Sequence, residues 1–377
     1  DNLRIEGGFQ DGNVGIFAAD NFYFLSRLSG HSGPITSVAC SLNGFYIASG
    51  SEDSSVRLWD ARGGGILKCL NGHTGGITCL SISDNSRFIA TGSADMTIRV
   101  WDVETGKQLH ISNVRNGGVR SLQWSPDGCS IIALSGWHVR QWVVFEGAKI
   151  LPLTYLKDYC GMYRISPCSE RFAFDSATGY LKYGNIYGNS QDAHSRRDWL
   201  SQASVTCLSW SPDGKFIGAG YVDGSISVWD GKTGKELARF ERHDDSVESL
   251  DWSIDGRRVV SGSRDGTIRL WDCDSQMQIA WIDGHRCPMS VIRFSPDGKR
   301  IATGADDSVD YAYVWDAERG VILARLDLKR RGGVTALVWS WNGRNIVSCS
   351  GSGLIQLWKA DTGREVVILE GQESGRM

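Results

Sequence analysis

No stretch of this sequence approaches the roughly 18 consecutive apolar residues that a membrane span requires, so membrane insertion is not expected. The opening residues, DNLRIEGGFQDG, lack the charged-then-apolar layout of a secretory signal. The formal net charge is only −3, which gives no support to a nucleic-acid-binding surface. None of the ten cysteines forms a CxxC pair. Cys40, Cys79, Cys207 and Cys349 fall at apolar strand positions, which reads as small buried thiols in a reducing, cytoplasmic compartment rather than a disulfide framework or a zinc site. There is no GxSxG elbow, no P-loop and no HExxH, so none of the usual catalytic signatures is present and no cofactor or metal is expected. Proline is scarce as well: seven residues, against 46 glycines and 15 tryptophans. Many glycines among short apolar runs point to an all-β fold rich in tight turns.

What is present is clearest in residues 243–272, HDDSVESLDWSIDGRRVVSGSRDGTIRLWD. Apolar alternation runs through Val247, Leu250 and Trp252 to a turn at Asp255-Gly256. A second run at Val259-Val260 reaches a turn at Asp265-Gly266, and a third runs from Ile268 to Trp271. Short runs separated by Asp-Gly turns predict an antiparallel β-meander. The unit recurs. A serine closing its first strand stands at 41, 83, 125, 166, 211, 253, 295 and 340, with spacings of 42, 42, 41, 45, 42, 42 and 45 residues. Such a period is the signature of a repeat architecture.

Other residues keep register with that serine. Eighteen positions on stand Trp59, Trp101, Trp229, Trp271 and Trp358, with Trp142 one short and Trp315 two long; five of the seven precede an Asp. Twelve on stand Asp53, Asp95, Asp223, Asp265 and Asp307, and eight on stand Ser49, Thr91, Ser261, Thr303 and Ser348. Ten before it stand His31, His73, His243 and His285.

These residues resemble the WD40-repeat family over nearly the whole chain. The resemblance implies a β-propeller of four-stranded antiparallel blades, closed into a ring that hides the sheet edges. It also implies a structural hydrogen-bond chain in which the turn Asp accepts from the His, the His meets the Ser/Thr hydroxyl, and the hydroxyl takes the Trp indole N–H. Four units carry all members: His31–Ser49–Asp53–Trp59, His73–Thr91–Asp95–Trp101, His243–Ser261–Asp265–Trp271 and His285–Thr303–Asp307–Trp315. The last has two extra residues between Asp and Trp, which predicts a longer turn or bulge. From about 115 to 225 the set is broken: Arg115, Ala133 and Trp137 replace His, Ser and Asp in the third unit, the fourth keeps no member, and the fifth has Ser201 and Ala219. That sector is either drifting or shaped for a ligand.

Residues 29–370 hold eight units, and eight blades is the simplest reading. Seven blades, or a fragment of a longer tandem array, are the alternatives. Residues 1–28 look like a partial blade whose segment 22–28 supplies or caps the outer strand of the last blade, and 371–377 form a tail. A start at Asp1 points to a piece of a larger multidomain chain. The regular units look like the arrays attached to signal-transducing NTPases of the immune-receptor type, although no NTPase residue is present.

Ser, His and Asp recurring together invite a hydrolase reading. Four copies at one spacing argue instead for structure, since a catalytic triad is single and needs an oxyanion hole. The remaining function is binding of other proteins or peptides, as a non-catalytic scaffold or sensor module. A small-ligand or carbohydrate-binding propeller is the alternative and a hydrolase a distant one. The resemblance places partners where the second-to-third-strand turns meet the start of the first strands. The residues mapped there include Glu52, Arg264 and Asp306 before the turn Asp, and Arg120 and Glu248 in first strands. The preferred patch is Arg120, Trp137, Tyr159 and Tyr221, residue types enriched at binding hot spots. Trp137 is placed either outward there or inward as apolar filler.

Overall fold

A computed structural model describes residues 4–18, 24–114, 117–125, 128–135, 138–144, 150–155, 163–167, 171–175, 181–185, 203–240, 243–285, 287–306, 311–328, 333–351 and 354–370. Among them are 34 strands in nine antiparallel sheets. The strands Arg4–Gly8, Asn13–Ala18 and Phe24–Ser29 (β1–β3) make a three-stranded sheet. Ile35–Cys40, Tyr46–Ser51, Val56–Asp60 and Ile66–Leu70 (β4–β7) make the first four-stranded one. The second is Ile77–Ile82, Phe88–Ser93, Thr97–Asp102 and Gln108–Asn113 (β8–β11), and the third Val119–Trp124, Ser130–Ser135, His138–Val144 and Ile150–Tyr155 (β12–β15).

The fourth unit shows three described strands, Tyr163–Ile165, Arg171–Asp175 and Leu181–Asn185 (β16–β18). Four-strand sheets resume with Val205–Trp210, Phe216–Tyr221, Ile226–Asp230 and Glu236–Phe240 (β19–β22). Next come Val247–Trp252, Arg258–Ser263, Thr267–Asp272 and Met277–Asp283 (β23–β26). Met289–Phe294, Arg300–Ala305, Tyr311–Asp316 and Ile322–Asp327 (β27–β30) follow, and Val334–Trp339, Asn345–Ser350, Leu354–Lys359 and Glu365–Glu370 (β31–β34) end the series. These eight repeat sheets correspond to the eight units. The outermost described strand of the last is β34, paired with β33, and β3 pairs with β2. The turn 307–310 lies outside the described residues.

Contacts divide the chain into two compact groups, one holding β1–β15 and the other β16–β34. Within each, the first strands of successive sheets lie side by side, as β4, β8 and β12 do, and as β19, β23, β27 and β31 do. This is propeller-blade packing, with each sheet meeting the next face to face. The second strand comes so close to the next first strand that no side chain fits: a Cβ on Gly50 would lie 2.5 Å from Ile77, and one on Gly92 2.5 Å from Val119. The glycine of the recurring SGS segment is therefore a packing requirement. Tryptophans and β-branched residues fill the layers between sheets, as Val247, Leu250, Trp252, Val259 and Trp271 do with Val228 and Phe240.

The reference serine is fixed by its turn. Ser253 accepts the Arg258 N–H on Oγ at 2.9 Å and donates to Asp255 at 2.5 Å, while Gly256 takes φ +68°. The turn pulls the Asp255 carboxyl below the usual carboxylate range, chiefly through the Ser253 hydrogen bond. The cysteine expectation needs correction: Cys207 is buried, Cys79 and Cys349 are partly so, and Cys40 is exposed. Cys40 ends β4 at the place where Trp124, Trp210 and Trp252 end other first strands, and the small thiol leaves the site uncovered. No helix among the described residues is long and apolar enough to cross a membrane.

Candidate interaction face

The polar residues at fixed spacing converge inside each regular sheet. In the first repeat sheet His31 Nδ1 lies 2.9 Å from Asp53 Oδ2, His31 Nε2 lies 2.8 Å from Ser49 Oγ, and the Trp59 indole N–H donates to that Oγ at 2.8 Å. The second sheet repeats this with His73, Asp95, Thr91 and Trp101 at 2.8, 2.8 and 2.9 Å. The sixth does so with His243, Asp265, Ser261 and Trp271 at 3.1, 2.8 and 3.0 Å. In the seventh, Thr303 Oγ1 joins His285 at 2.9 Å and Trp315 at 2.8 Å; Asp307 lies outside the described residues.

Chemistry assigns the protons. An indole can only donate and an ionised carboxylate can only accept, so the hydroxyl proton goes to Nε2 and Nδ1 carries the imidazole proton. Burial lowers the pKa of His31 and His73, and pushes His285 down to about 4, which favours the neutral ring. Burial alone would raise the Asp95 carboxyl, but hydrogen bonds from Thr97, the Thr74 N–H and His73 outweigh it and hold it at about 2. A fifth member was not anticipated: Thr97 Oγ1 donates to Asp95 at 2.6 Å and lies 3.1 Å from His73 Nδ1. Ser55 and Thr267 take the same place in their sheets. The four central hydroxyls, on Ser49, Thr91, Ser261 and Thr303, are 0% exposed.

Where members are missing, other groups satisfy the indole. Trp142 donates to Ser112 of the preceding sheet at 3.0 Å, and Trp358 keeps Ser348 at 2.9 Å. In the fifth sheet Trp229 donates to the Tyr221 hydroxyl at 3.2 Å. Tyr221 is only 2% exposed and burial raises its phenol to about 12. This corrects the expected surface patch, because Tyr221 fills the space that the absent His and Ser leave. Trp137 and Tyr159 lie outside the described residues.

The first strands carry a second regularity. Thr36 Oγ1 donates to Ile77 O at 2.6 Å, Thr78 Oγ1 to Val119 O at 2.5 Å, Thr206 Oγ1 to Val247 O, and Ser290 Oγ to Val334 O at 2.5 Å. Each hydroxyl latches one sheet to the next. A companion clamp ends the strand: Trp124, Trp210, Trp252 and Trp339 donate to Ser81, Arg164, Ser209 and Arg293 carbonyls at 3.1, 3.1, 3.1 and 3.2 Å. Arg120 and Glu248 occupy the latch position in β12 and β23, so neither strand carries the short hydroxyl there. Arg120 is exposed, and Glu248 turns instead to Arg264, Oε1 to Nε 3.0 Å.

Glu52, Arg264 and Asp306 sit at the same end of their sheets. Their backbone N–H groups donate to Pro34, Ser246 and Pro288 carbonyls just ahead of β4, β23 and β27, at 3.0, 2.9 and 3.0 Å. All three side chains are exposed. Beside Glu248 opens a cavity of about 360 Å³, lined by Arg164, Ser209, Glu248, Ser249, Asp251 and Arg293 among others. Asp251 is half-buried in it. Burial raises the Asp251 carboxyl, against the Phe294 N–H it accepts at 2.7 Å and the nearby charge of Arg293. Among the described residues no cluster of His, Cys, Asp and Glu could hold a metal ion.

The repeat sheets and their hydrogen-bond chains define a WD40 propeller, and comparison with known proteins agrees. The family description "WD domain, G-beta repeat" matches residues 22–60, 64–102, 276–309 and 324–359, and "IFT140 first beta-propeller" matches 175–282. The chain carries WD40 repeats, and its fold is that of a WD40 β-propeller. Eukaryotic translation initiation factor 3 subunit I of Neosartorya fischeri is 38% identical over 68 residues, 17% of this chain and 20% of that protein. The Aspergillus terreus counterpart is 33% identical over 86 residues, 22% of this chain and 26% of that protein. The chain thus spans about a fifth to a quarter of these relatives' length. Among solved structures, Chaetomium thermophilum Sqt1 bound to the N-terminus of ribosomal protein L10 matches with TM-score 0.64 at 18% identity, over 86% of this chain and 96% of that one. The C-terminal WD40 domain of Sif2 gives 0.62 at 21% identity, over 86% and 95%.

Proposed function

We propose that this protein is a non-catalytic interaction module that docks a partner polypeptide at the sheet ends where Glu248, Arg264 and Asp306 stand. The observation that carries the reading is the lost latch. Thr or Ser at that strand position ties neighbouring sheets together, whereas Glu248 there is turned to Ser246 and Arg264 at the sheet end instead. Charged, partly exposed residues that replace a stabilising group are what a recognition surface requires. The Glu248–Arg264 pair is a surface pair of little structural value. Sqt1, of the same fold, is seen with a ribosomal-protein segment bound, which is in keeping with a peptide-docking role. A cytoplasmic setting follows from the same reading.

A hydrolase role is disfavoured because every central hydroxyl of the His–Ser/Thr sets is sealed from solvent. The small-ligand alternative rests on the polar cavity beside Glu248. Among the described residues its lining includes no aromatic ring for a sugar to stack on, so it stands second.

The test is affinity capture from cell extract with the parent protein, an Asp306→Ala variant and a Glu248→Thr/Arg264→Ala variant, all checked for equal thermal stability. A protein retained by the parent, cross-linked to this face and lost by either variant supports docking. Retention of the same proteins by all three defeats the site. Capture of none, together with a thermal shift from a glycan or metabolite library, favours the cavity reading.

A further inference from the structure

We infer that the sheet ends opposite Glu248 and Arg264 carry a second docking surface, an apolar groove with a basic rim that takes a short acidic peptide by its apolar side chains. The groove, about 310 Å³, opens where β19, β23, β27 and β31 run into their turns. Trp252, Ile254, Phe294, Pro296, Val338 and Trp339 are among the residues that line it, and all belong to the second compact group. Glu248 and Trp252 stand near opposite ends of β23, so this face is distinct from the one proposed above. A volume at the small end of ligand-binding pockets admits about one or two side chains of a partner rather than a whole metabolite.

The aromatic walls are particular to this run of sheets. Trp210, Trp252, Phe294 and Trp339 end four successive first strands, whereas the four before them end in Cys40, Ile82, Trp124 and Ile165. The indoles of Trp252 and Trp339 are clamped to the Ser209 and Arg293 carbonyls, so these walls are fixed before anything binds. Ile254 and Val338 add apolar surface that is 63% and 60% exposed. Local structure does not call for either of them. The residue after the reference serine is Pro126, Pro212 or Pro296 in other units, which suits the same turn. The residue two before it is Ser81, Gln123, Ser209, Asp251 or Arg293 where Val338 stands in the last sheet. Trp341, 72% exposed, takes the turn position after Ser340 and extends the apolar surface. Leu42 is equally exposed at that position in the first repeat sheet, but there β4 ends in Cys40 and supplies no aromatic wall.

The rim decides the charge of the partner. Arg258 lies over the Phe294 ring at 5.8 Å and Arg300 over the Trp339 ring at 5.1 Å. Each also donates to a turn carbonyl, Gly298 at 2.9 Å and Gly343 at 2.7 Å, which holds the guanidinium in place beside the groove. A guanidinium so held presents a planar fork of donors that suits a carboxylate. The turns 211–216, 253–258, 295–300 and 340–345 hold six Lys or Arg against three Asp. Those three carboxylates, Asp213, Asp255 and Asp297, are taken up within their own turns, accepting from the reference serines at 2.6, 2.5 and 2.5 Å. The ion pairs these groups make, Lys215–Asp213, Arg300–Asp297 and Arg257–Asp274, span 3.0, 3.7 and 3.9 Å and are at least partly exposed, so they compete weakly with an incoming acidic chain. An apolar anchor flanked by carboxylates therefore meets an apolar groove flanked by cations. A concave site of this size receives side chains and not a flat bilayer. Its contact area falls well below that of a standard interface, so the affinity is modest, on the order of 10 μM.

Fluorescence anisotropy of the full chain with three labelled synthetic peptides tests this. The first carries a Leu-Phe pair between runs of Glu, the second the same pair between runs of Lys, and the third a Ser-Ser pair between runs of Glu. Only the first should bind in the micromolar range, and its affinity should fall as salt screens the rim. The double variant Ile254→Asp/Val338→Ser places there what the second and fifth repeat sheets carry, Asp84 and Ser209, so it should keep the parent's Tm while binding the first peptide at least about tenfold more weakly. The Glu248→Thr/Arg264→Ala variant should bind it as the parent does, which tests the two faces apart. No binding of the first peptide up to about 1 mM overturns the inference. So does equal binding of the lysine or serine peptide, or binding that the groove variant leaves unchanged. Association with phosphatidylserine vesicles that the groove variant abolishes, with no peptide bound, would assign the surface to a membrane instead and overturn the inference as well.

Discussion

Each polar residue in the repeated sets is held by what its neighbours can no longer give to water. The Thr91 hydroxyl takes the Trp101 indole N–H and joins it to His73. Replacement by valine keeps the volume but strands both groups, and a buried unsatisfied donor or acceptor costs about 1–3 kcal/mol. Ser348 accepts the Trp358 indole N–H, and the sequence has Arg330 rather than a His ten residues before Ser340. Thr91→Val should therefore lose about twice as much stability as Ser348→Ala, measured by urea unfolding with unchanged m-values. These roles were legible because Ser, His, Asp and Trp recur at fixed spacing. Tyr221 was not: its ring turns inward to accept from Trp229 beside Ala219, a fact about volume that residue type does not carry.

The first strands show how legibility fails between elements. Thr36, Thr78, Thr206 and Ser290 recur in register, as do Trp124, Trp210, Trp252 and Trp339, so the repetition itself was in the sequence. Their acceptors are backbone carbonyls on the neighbouring sheet, about one repeat away, and a carbonyl leaves no mark on residue identity. The sequence thus pointed to Arg120 and Glu248 by position, and the structure adds that they displace a latch. Restoring it separates stability from binding. Glu248→Thr should supply a hydroxyl within reach of the Met289 carbonyl and hold or raise stability by about 0.5–1.5 kcal/mol, the net worth of one hydrogen bond. The same change should abolish capture of any partner that docks at Glu248. A marked fall in Tm would show instead that the Glu248–Arg264 pair is structural.

Across the whole molecule the buried imidazoles set the response to acid. His31, His73 and His285 have pKa values lowered chiefly by burial, His285 to about 4, whereas an unfolded histidine titrates near 6.5. Between those values the unfolded chain binds more protons than the folded one, so stability is full above about pH 6.5 and declines as pH falls. The turn carboxylates act lower. Asp53, Asp95 and Asp265 are depressed by the hydrogen bonds that outweigh their burial, so their contribution is present above about pH 4 and fades below it. Asp251 has the opposite sign, because burial raises its carboxyl and its protonation favours the folded state as pH falls. One such group does not offset three histidines. Urea midpoints taken at pH 7.5, 6, 5 and 4.5 should fall steadily, with the decline already under way at pH 6. A midpoint that stays level to pH 5 would mean that the imidazoles are protonated in the native sheets, with each His–Asp pair acting as an ion pair rather than as a neutral link.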